Sequence, residues 1–200
     1  MKAAIKVILI VLCMFVNTAR ALDQTETGFF YPIGRANFST GNGWWLSKAP
    51  DYFSGEYHLG VDMLANYGSS VYAVADGVIK RLSRSDWGAD NCALAIEHKT
   101  YGGIVFTAIY GHLLCTTLPA EKSSVYAGKA IGKVGHWDNG DHLHFGIHPG
   151  PYNTIASNHW GRQFITGNWT NPCTGNCLNT FTDPIQFIKT NAAYSKTTEK

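Results

Sequence analysis

Apolar and polar positions alternate in short β-branched and aromatic runs along this chain, and glycines break them before a helical period develops. That pattern predicts an all-β domain. Val71-Tyr72-Ala73-Val74-Ala75 and Val78-Ile79-Lys80-Arg81-Leu82 read as two strand segments about a turn or bulge at Asp76-Gly77. Ala93 to Glu97 and Ile104 to Tyr110, joined through Lys99-Thr100-Tyr101-Gly102-Gly103, read as a hairpin, and Lys129 to Val134 and Leu143 to Ile147 as further strands. Asp183-Pro184 ahead of Ile185-Gln186-Phe187-Ile188 predicts a short terminal helix, with Asp183 as N-cap and proline at the first helical position. The expected fold is a set of antiparallel sheets forming a compact β-sandwich or barrel-like core, with long loops around a groove.

The first 21 residues break this pattern. Lys2 and Lys6 precede the apolar run Val7 to Val16, and Ala19-Arg20-Ala21 follows as a small-x-small cleavage signal, so 1–21 is expected to be a secretory signal peptide. The apolar run is shorter than the roughly twenty residues that span a bilayer, and no stable membrane insertion is expected. The expected location is secreted or periplasmic, after cleavage near Ala21. The leader carries Lys2, Lys6 and Arg20 and no acid, so its removal turns the formal charge of +2 into −1. A clustered basic face, the footprint of a nucleic-acid binder, is therefore not expected. Residues 22–50, rich in aromatics and glycine, are expected to wrap the β-core, with Trp44-Trp45 either edging a groove or packed as partly buried side chains. Residues 51–190 form the expected main domain and 191–200 a polar tail, frayed from about Thr190.

Cysteine usage agrees with export. Cys13 leaves with the leader, and an even four remain, which in an oxidising compartment favours two disulfides. Cys92 with Cys115 is the favoured pair because the two bracket the hairpin, and Cys173 with Cys177 would close a small loop. A second zinc site at Cys173 and Cys177 is the competing reading.

The candidate chemistry lies in the histidines. His58-Leu59-Gly60-Val61-Asp62 and His142-Leu143-His144 combine imidazoles with a carboxylate, donors that suit zinc, and three protein ligands leave a tetrahedral position open. Residues two apart on a strand share a face, so His142 and His144 can both enter one cleft, and either could bind the metal. Gly60 is expected to let the backbone turn sharply between two ligands. His112, in Tyr110-Gly111-His112-Leu113, ends a strand; it is a candidate catalytic group or a half-buried structural histidine. His98 and His159 read as structural or solvated, and His148 shares strand parity with His144 but precedes Pro149.

These motifs occur in an order that resembles the lysostaphin-type zinc peptidases. His58-x-Gly60-x-Asp62, Val71-x-Ala73-x-x-Asp76-Gly77-Val78, Tyr110-x-His112-Leu113, Val125-x-x-Gly128-x-x-Ile131-Gly132-x-x-Gly135 and His142-Leu143-His144-Phe145 carry the likeness, from about Tyr57 to Ile147. The resemblance implies one zinc ion held by His58, Asp62 and His144, with His112 and His142 as catalytic histidines. It further implies attack of zinc-bound water on a peptide carbonyl, with His142 taking the proton and His112 orienting water or stabilising the oxyanion. Tyr110, His136 and Trp137 are candidates for contact with substrate. Asp141 stands where the family usually has proline and Gly146 where it often has glutamate. Asp141 is expected to be solvated or to hydrogen-bond a neighbouring imidazole.

The function that follows is a secreted endopeptidase acting on peptide cross-links of bacterial peptidoglycan, expected to be monomeric. Two alternatives stand beside it. One is a non-catalytic relative that binds wall peptide or activates another hydrolase; the other is a zinc carboxypeptidase or dipeptidase trimming stem peptides. Asn37-Phe38-Ser39 and Asn168-Trp169-Thr170 match glycosylation acceptors, which matter only on a eukaryotic secretory route.

Overall fold

Strands β1 (Glu56–His58), β2 (Val61–Leu64), β3 (Ser70–Tyr72), β4 (Gly77–Ser83), β5 (Asn91–Lys99), β6 (Val105–Leu114), β7 (Ser124–Val125), β8 (Ala130–Lys133), β9 (His142–His148) and β10 (Phe164–Thr166), with helix α1 (Pro184–Thr190), follow one another along the computed structural model. The structure describes residues 24–34, 56–84, 87–155, 164–166, 181–191 and 193. Residues 1–21, expected to be a signal peptide, and Trp44-Trp45, Asn37, His159, Asn168, Cys173 and Cys177 lie outside the described residues.

The predicted hairpin is β5–β6, and the main sheet is laid down around it. Its antiparallel order is β2-β9-β6-β5-β4-β7, and it stays open, with β2 and β7 at its edges. Two antiparallel ribbons, β1–β10 and β3–β8, complete the described strands. The architecture is thus all-β and antiparallel, with one short helix and no closed barrel among the described residues. The two segments expected to flank Asp76-Gly77 part company: β3 pairs with β8, whereas β4 pairs with β5 and β7. Ala73, Val74 and Ala75 between them are buried without alternation, so apolarity there marks burial on all sides.

Alternation sorts the main sheet into two faces. Val61, Met63, Leu143, Phe145, Ile147, Phe106, Ala108, Tyr110, Leu94 and Ile96 belong to one apolar cluster, which also takes in Val71 and Ile131 of the β3–β8 ribbon, Phe29 and Ile33 of the 24–34 segment, and Phe187 and Ile188 of α1. Burying each such side chain contributes about 1.5–3 kcal/mol. The intervening residues Asp62, His142 and His144 face the other way. There a smaller apolar cluster of Leu59, Trp87, Ala93, Ala95, Ile109, Ile155 and Phe181 lies alongside. All seven residues of β9 are buried, because both faces of that strand are covered.

Helix α1 begins as its sequence predicts: the Asp183 carboxylate accepts from the N–H groups of Ile185 and Gln186 at 2.9 and 3.0 Å. Beyond it the expected fraying is contradicted at Ala193, which is buried, donates its N–H to Thr27 and accepts from Tyr101 N–H. Cys92 and Cys115 are joined, with Cα atoms 5.1 Å apart, tying the start of β5 to the chain just after β6.

Candidate metal centre and catalytic histidines

Three strands bring the candidate ligands together. His58 ends β1, a bend at Leu59-Gly60 leads into β2, and Asp62 then faces His144 directly across the β2–β9 ladder. His144 is also opposite Gly111 of β6, so Asp62, His144 and Gly111 form one row across the sheet. A glycine is needed at position 60 for space and not for a left-handed turn. Its φ is not among the positive ones, but a Cβ there would stand 2.6 Å from the Phe145 carbonyl oxygen and 2.8 Å from the His144 ring. The chain does bend at Leu59-Gly60 as expected, and close packing against β9 is what reserves the position for glycine.

The donor atoms converge. His58 Nε2 and His144 Nδ1 are 2.9 Å apart, and Asp62 Oδ1 lies 3.2 Å from the first and 3.3 Å from the second. Donors arranged tetrahedrally at zinc bond lengths of about 2.0–2.1 Å sit about 3.3 Å apart, close to these separations. Asp62 Oδ1 is buried without a hydrogen-bond partner, its imidazole contacts lacking hydrogen-bond alignment. An orphaned carboxylate oxygen among imidazole nitrogens fits a site built for a cation. Burial raises the Asp62 pKa, but the His144 and His58 imidazoles outweigh it and hold the carboxyl well below its usual range. Burial pushes His144 down to about 4 against the pull of Asp62, which keeps the imidazole in its neutral, metal-binding form.

Two further imidazoles border this group. His142, two residues before His144 on the same face, donates Nδ1–H to the Gly140 carbonyl at 2.8 Å. Its Nε2 therefore carries the lone pair, is buried without a hydrogen-bond partner, and lies 3.7 Å from Asp62 Oδ1. His112 reaches the same cleft through a β-bulge. Cys92 pairs with Leu113 and Leu94 with Tyr110, so Gly111 and His112 together oppose Ala93, and His112 takes φ 57°. Simple alternation from Tyr110 would send His112 into the apolar core; the extra residue turns it to the site face, its ring centroid 4.5 Å from that of His142. His112 Nδ1–H donates to the Trp87 carbonyl at 2.8 Å, and burial, aided by repulsion from His142 and His144, lowers its pKa to about 3.

Alternation also corrects the reading of Tyr110 as a substrate contact. Tyr110 is fully buried on the opposite face, where its hydroxyl accepts from Val74 N–H at 3.2 Å and donates to His98 Nε2 at 3.2 Å. His98 Nδ1–H in turn donates to the Asp76 carbonyl at 3.1 Å. His98 is thus a core residue, and so is His148, whose Nε2 contacts Thr154 Oγ1 at 2.7 Å.

Trp137 borders the site, whereas His136 contacts Asp138 and Asp141 in the neighbouring loop and none of the four site histidines. The Trp137 ring lies 4.4 Å from His112 and 6.2 Å from His142, over Gly88, and beside it Tyr67, Asp90, Asn91 and His136 help to line a depression of about 460 Å³. Sequence reasoning missed Trp87. Its buried indole covers Gly111, where a Cβ would come within 2.0 Å, and packs 5.2 Å from His144 and 5.4 Å from His112. The available signal was Gly111 itself, since a glycine inside a strand marks a close approach. Asp141 does bond an imidazole, but that of His136 and not one in the metal cluster.

Comparison with known proteins places this geometry. The model of Peptidase family M23 matches residues 56–158, slightly over half of the chain, and includes all four site histidines and the Asp62 carboxylate. Among solved structures, the catalytic domain of the antimicrobial peptidase lysostaphin from Staphylococcus simulans is similar at 22% identity and a TM-score of 0.51, covering 77% of this chain and 94% of that domain. A longer lysostaphin structure from the same organism gives 25% identity and a TM-score of 0.52, covering 80% of this chain and 53% of that one. The chain therefore spans nearly the whole of the lysostaphin catalytic domain and about half of the longer protein. No curated protein sequence matches the chain.

Proposed function

This chain belongs to peptidase family M23, and from that premise we propose that it is a secreted zinc-dependent endopeptidase hydrolysing peptide cross-links of bacterial peptidoglycan. The observation that carries the reading is the convergence of His58 Nε2, Asp62 Oδ1 and His144 Nδ1 beside the unpartnered Nε2 of His142. The fold likeness to the antimicrobial peptidase lysostaphin supports it.

His58, Asp62 and His144 would hold the zinc. Bound zinc supplies a Lewis acid that acidifies water and polarises the peptide carbonyl. The remaining work falls to the chain. His142, tautomerically fixed by Gly140, presents a lone pair on Nε2 and accepts a proton there, returning it to the departing amine. His112 spends its only proton on Trp87 and is kept neutral by burial, so its Nε2 is an acceptor. That state suits orienting a water O–H better than donating to an oxyanion. Trp87 and Trp137 close two sides of the imidazole cluster, which restricts bulk water and strengthens the local electrostatics.

Incubating the zinc-loaded protein with wall sacculi of several cross-link types, and identifying the new termini by mass spectrometry, tests the reading. Internal cleavage that chelation abolishes is the expected result. Wall binding with no cleavage would overturn it in favour of a non-catalytic relative, and trimming of free stem-peptide ends with intact cross-links would make the enzyme a carboxypeptidase.

A further inference from the structure

Asp141 lies outside the metal and catalytic sets, yet its carboxylate accepts three hydrogen bonds beside the cleft. Oδ1 accepts from Trp137 N–H at 3.0 Å and from His136 Nδ1 at 3.0 Å, and Oδ2 accepts from Tyr67 N–H at 3.1 Å. Its main-chain carbonyl accepts from Ala65 N–H at 3.2 Å. One residue thus joins the loop that follows the Asp62 strand to the loop that carries His136 and Trp137. The bonds lower the Asp141 pKa, that of Trp137 N–H foremost, so the carboxylate stays charged and accepting.

The tie continues towards the chemistry. Trp137 and Gly140 close a turn, in which Gly140 N–H donates to the Trp137 carbonyl at 2.9 Å. The Gly140 carbonyl in turn receives Nδ1–H of His142 at 2.8 Å. The other end of the loop is fixed independently, by Asn91 Nδ2 donating to the His136 carbonyl at 2.7 Å. Asp141 is therefore the link between the turn and the β2 side of the cleft, and the turn holds the ring that must aim its Nε2 at the reacting atoms.

We infer that Asp141 is a positioning residue of the active site, a carboxylate clamp that acts through the Trp137–Gly140 turn to fix the tautomer and aim of His142. The inference rests on the reading of His142 as proton acceptor. It assigns Asp141 a role that a solvated loop aspartate would not have. It also accounts for the hold on Trp137, whose N–H is bound by Asp141 while its ring packs against His112.

The test is a double-mutant cycle on zinc-loaded full chain, with Asp141→Ala and Asp141→Asn each made in the wild-type and the His142→Ala backgrounds. Kinetic constants on a cleaved wall peptide, zinc content, and the imidazole ¹⁵N spectrum of His142 are measured. The expected result is a loss in kcat of tenfold or more for Asp141→Ala and threefold or more for Asp141→Asn, which keeps only one acceptor oxygen. KM should change less than threefold, zinc content should hold, and His142 should pass from the Nδ1–H tautomer to a mixture. In the His142→Ala background either change should cost less than twofold. Equal losses in both backgrounds, or effects below twofold with an unchanged tautomer, overturn the inference. Should Asp141→Ala fail to fold, Asp141→Asn is read by the same criteria. The ¹⁵N spectra need no turnover, so they decide the role of Asp141 even if the protein cleaves no wall peptide.

Discussion

Gly60→Ala separates two accounts of the motif that joins His58 to Asp62. If glycine served only to bend the backbone, alanine would be harmless or favourable. Position 60 does not use a left-handed φ, and a compatible Gly→Ala change stabilises by about 0.4–1 kcal/mol through the unfolded chain. The structure requires the opposite sign. The added methyl would stand 2.6 Å from the Phe145 carbonyl oxygen and 2.8 Å from Cε1 and Nε2 of His144, all buried atoms with little room to retreat. Overpacking of this kind costs about 1–3 kcal/mol. Because the ring that must yield is a candidate ligand, the cost should also appear as metal affinity, about 10–100-fold as for other disturbances of ligand orientation. Thermal unfolding of the metal-free variant reports the first quantity and competition against a chromophoric chelator the second. A variant at least as stable as the wild type, with unchanged zinc affinity, would refute the steric account.

Three other outcomes follow from the same coordinates. His142→Ala should lower kcat about 10²–10⁴-fold while retaining one zinc per chain, checked by steady-state kinetics and metal analysis; loss of the metal would mean that His142 is itself a ligand. Replacing Cys92 and Cys115 by serine, which releases a link between residues 23 apart, should cost about 3 kcal/mol in denaturant unfolding. Burial holds His98 at about 4 in the folded chain against its ordinary 6.5 in the unfolded one, so the unfolded chain binds the extra proton first. The corresponding stability is intact above about pH 6.5 and lost as pH falls towards 4, about 3 kcal/mol in all; His98→Gln should flatten the pH dependence of unfolding across that window, and an unchanged slope would show that His98 does not cause it.

The parts of this molecule that obey strand alternation were legible in its sequence. His142 and His144 share a face because β9 is a regular strand, the β5–β6 hairpin follows its glycine-rich connection, and the α1 cap is written in Asp183-Pro184. Legibility failed where a local irregularity overrode the period. The bulge opposite Ala93 moves His112 to the site and leaves Tyr110 in the core, and in Tyr110-Gly111-His112-Leu113 the glycine is the one hint of it, without fixing which residue is displaced. Trp87 escaped for a different reason, and of Asp141 only a bond to an imidazole was expected. Their roles depend on which loops meet across the cleft, and a carboxylate that binds Tyr67 and Trp137 carries no spacing rule.

The row formed by Asp62, His144 and Gly111 across neighbouring strands has a bearing on how the chain reaches its native state. Sliding β9 by one residue would present Leu143 or Phe145 where His144 belongs, and the carboxylate would face a hydrocarbon wall. Only the correctly aligned sheet can bind a cation there, so metal added during refolding stabilises the proper pairing and leaves slipped pairings without reward. With zinc bound as proposed, its supply would favour correct strand alignment before any substrate is met.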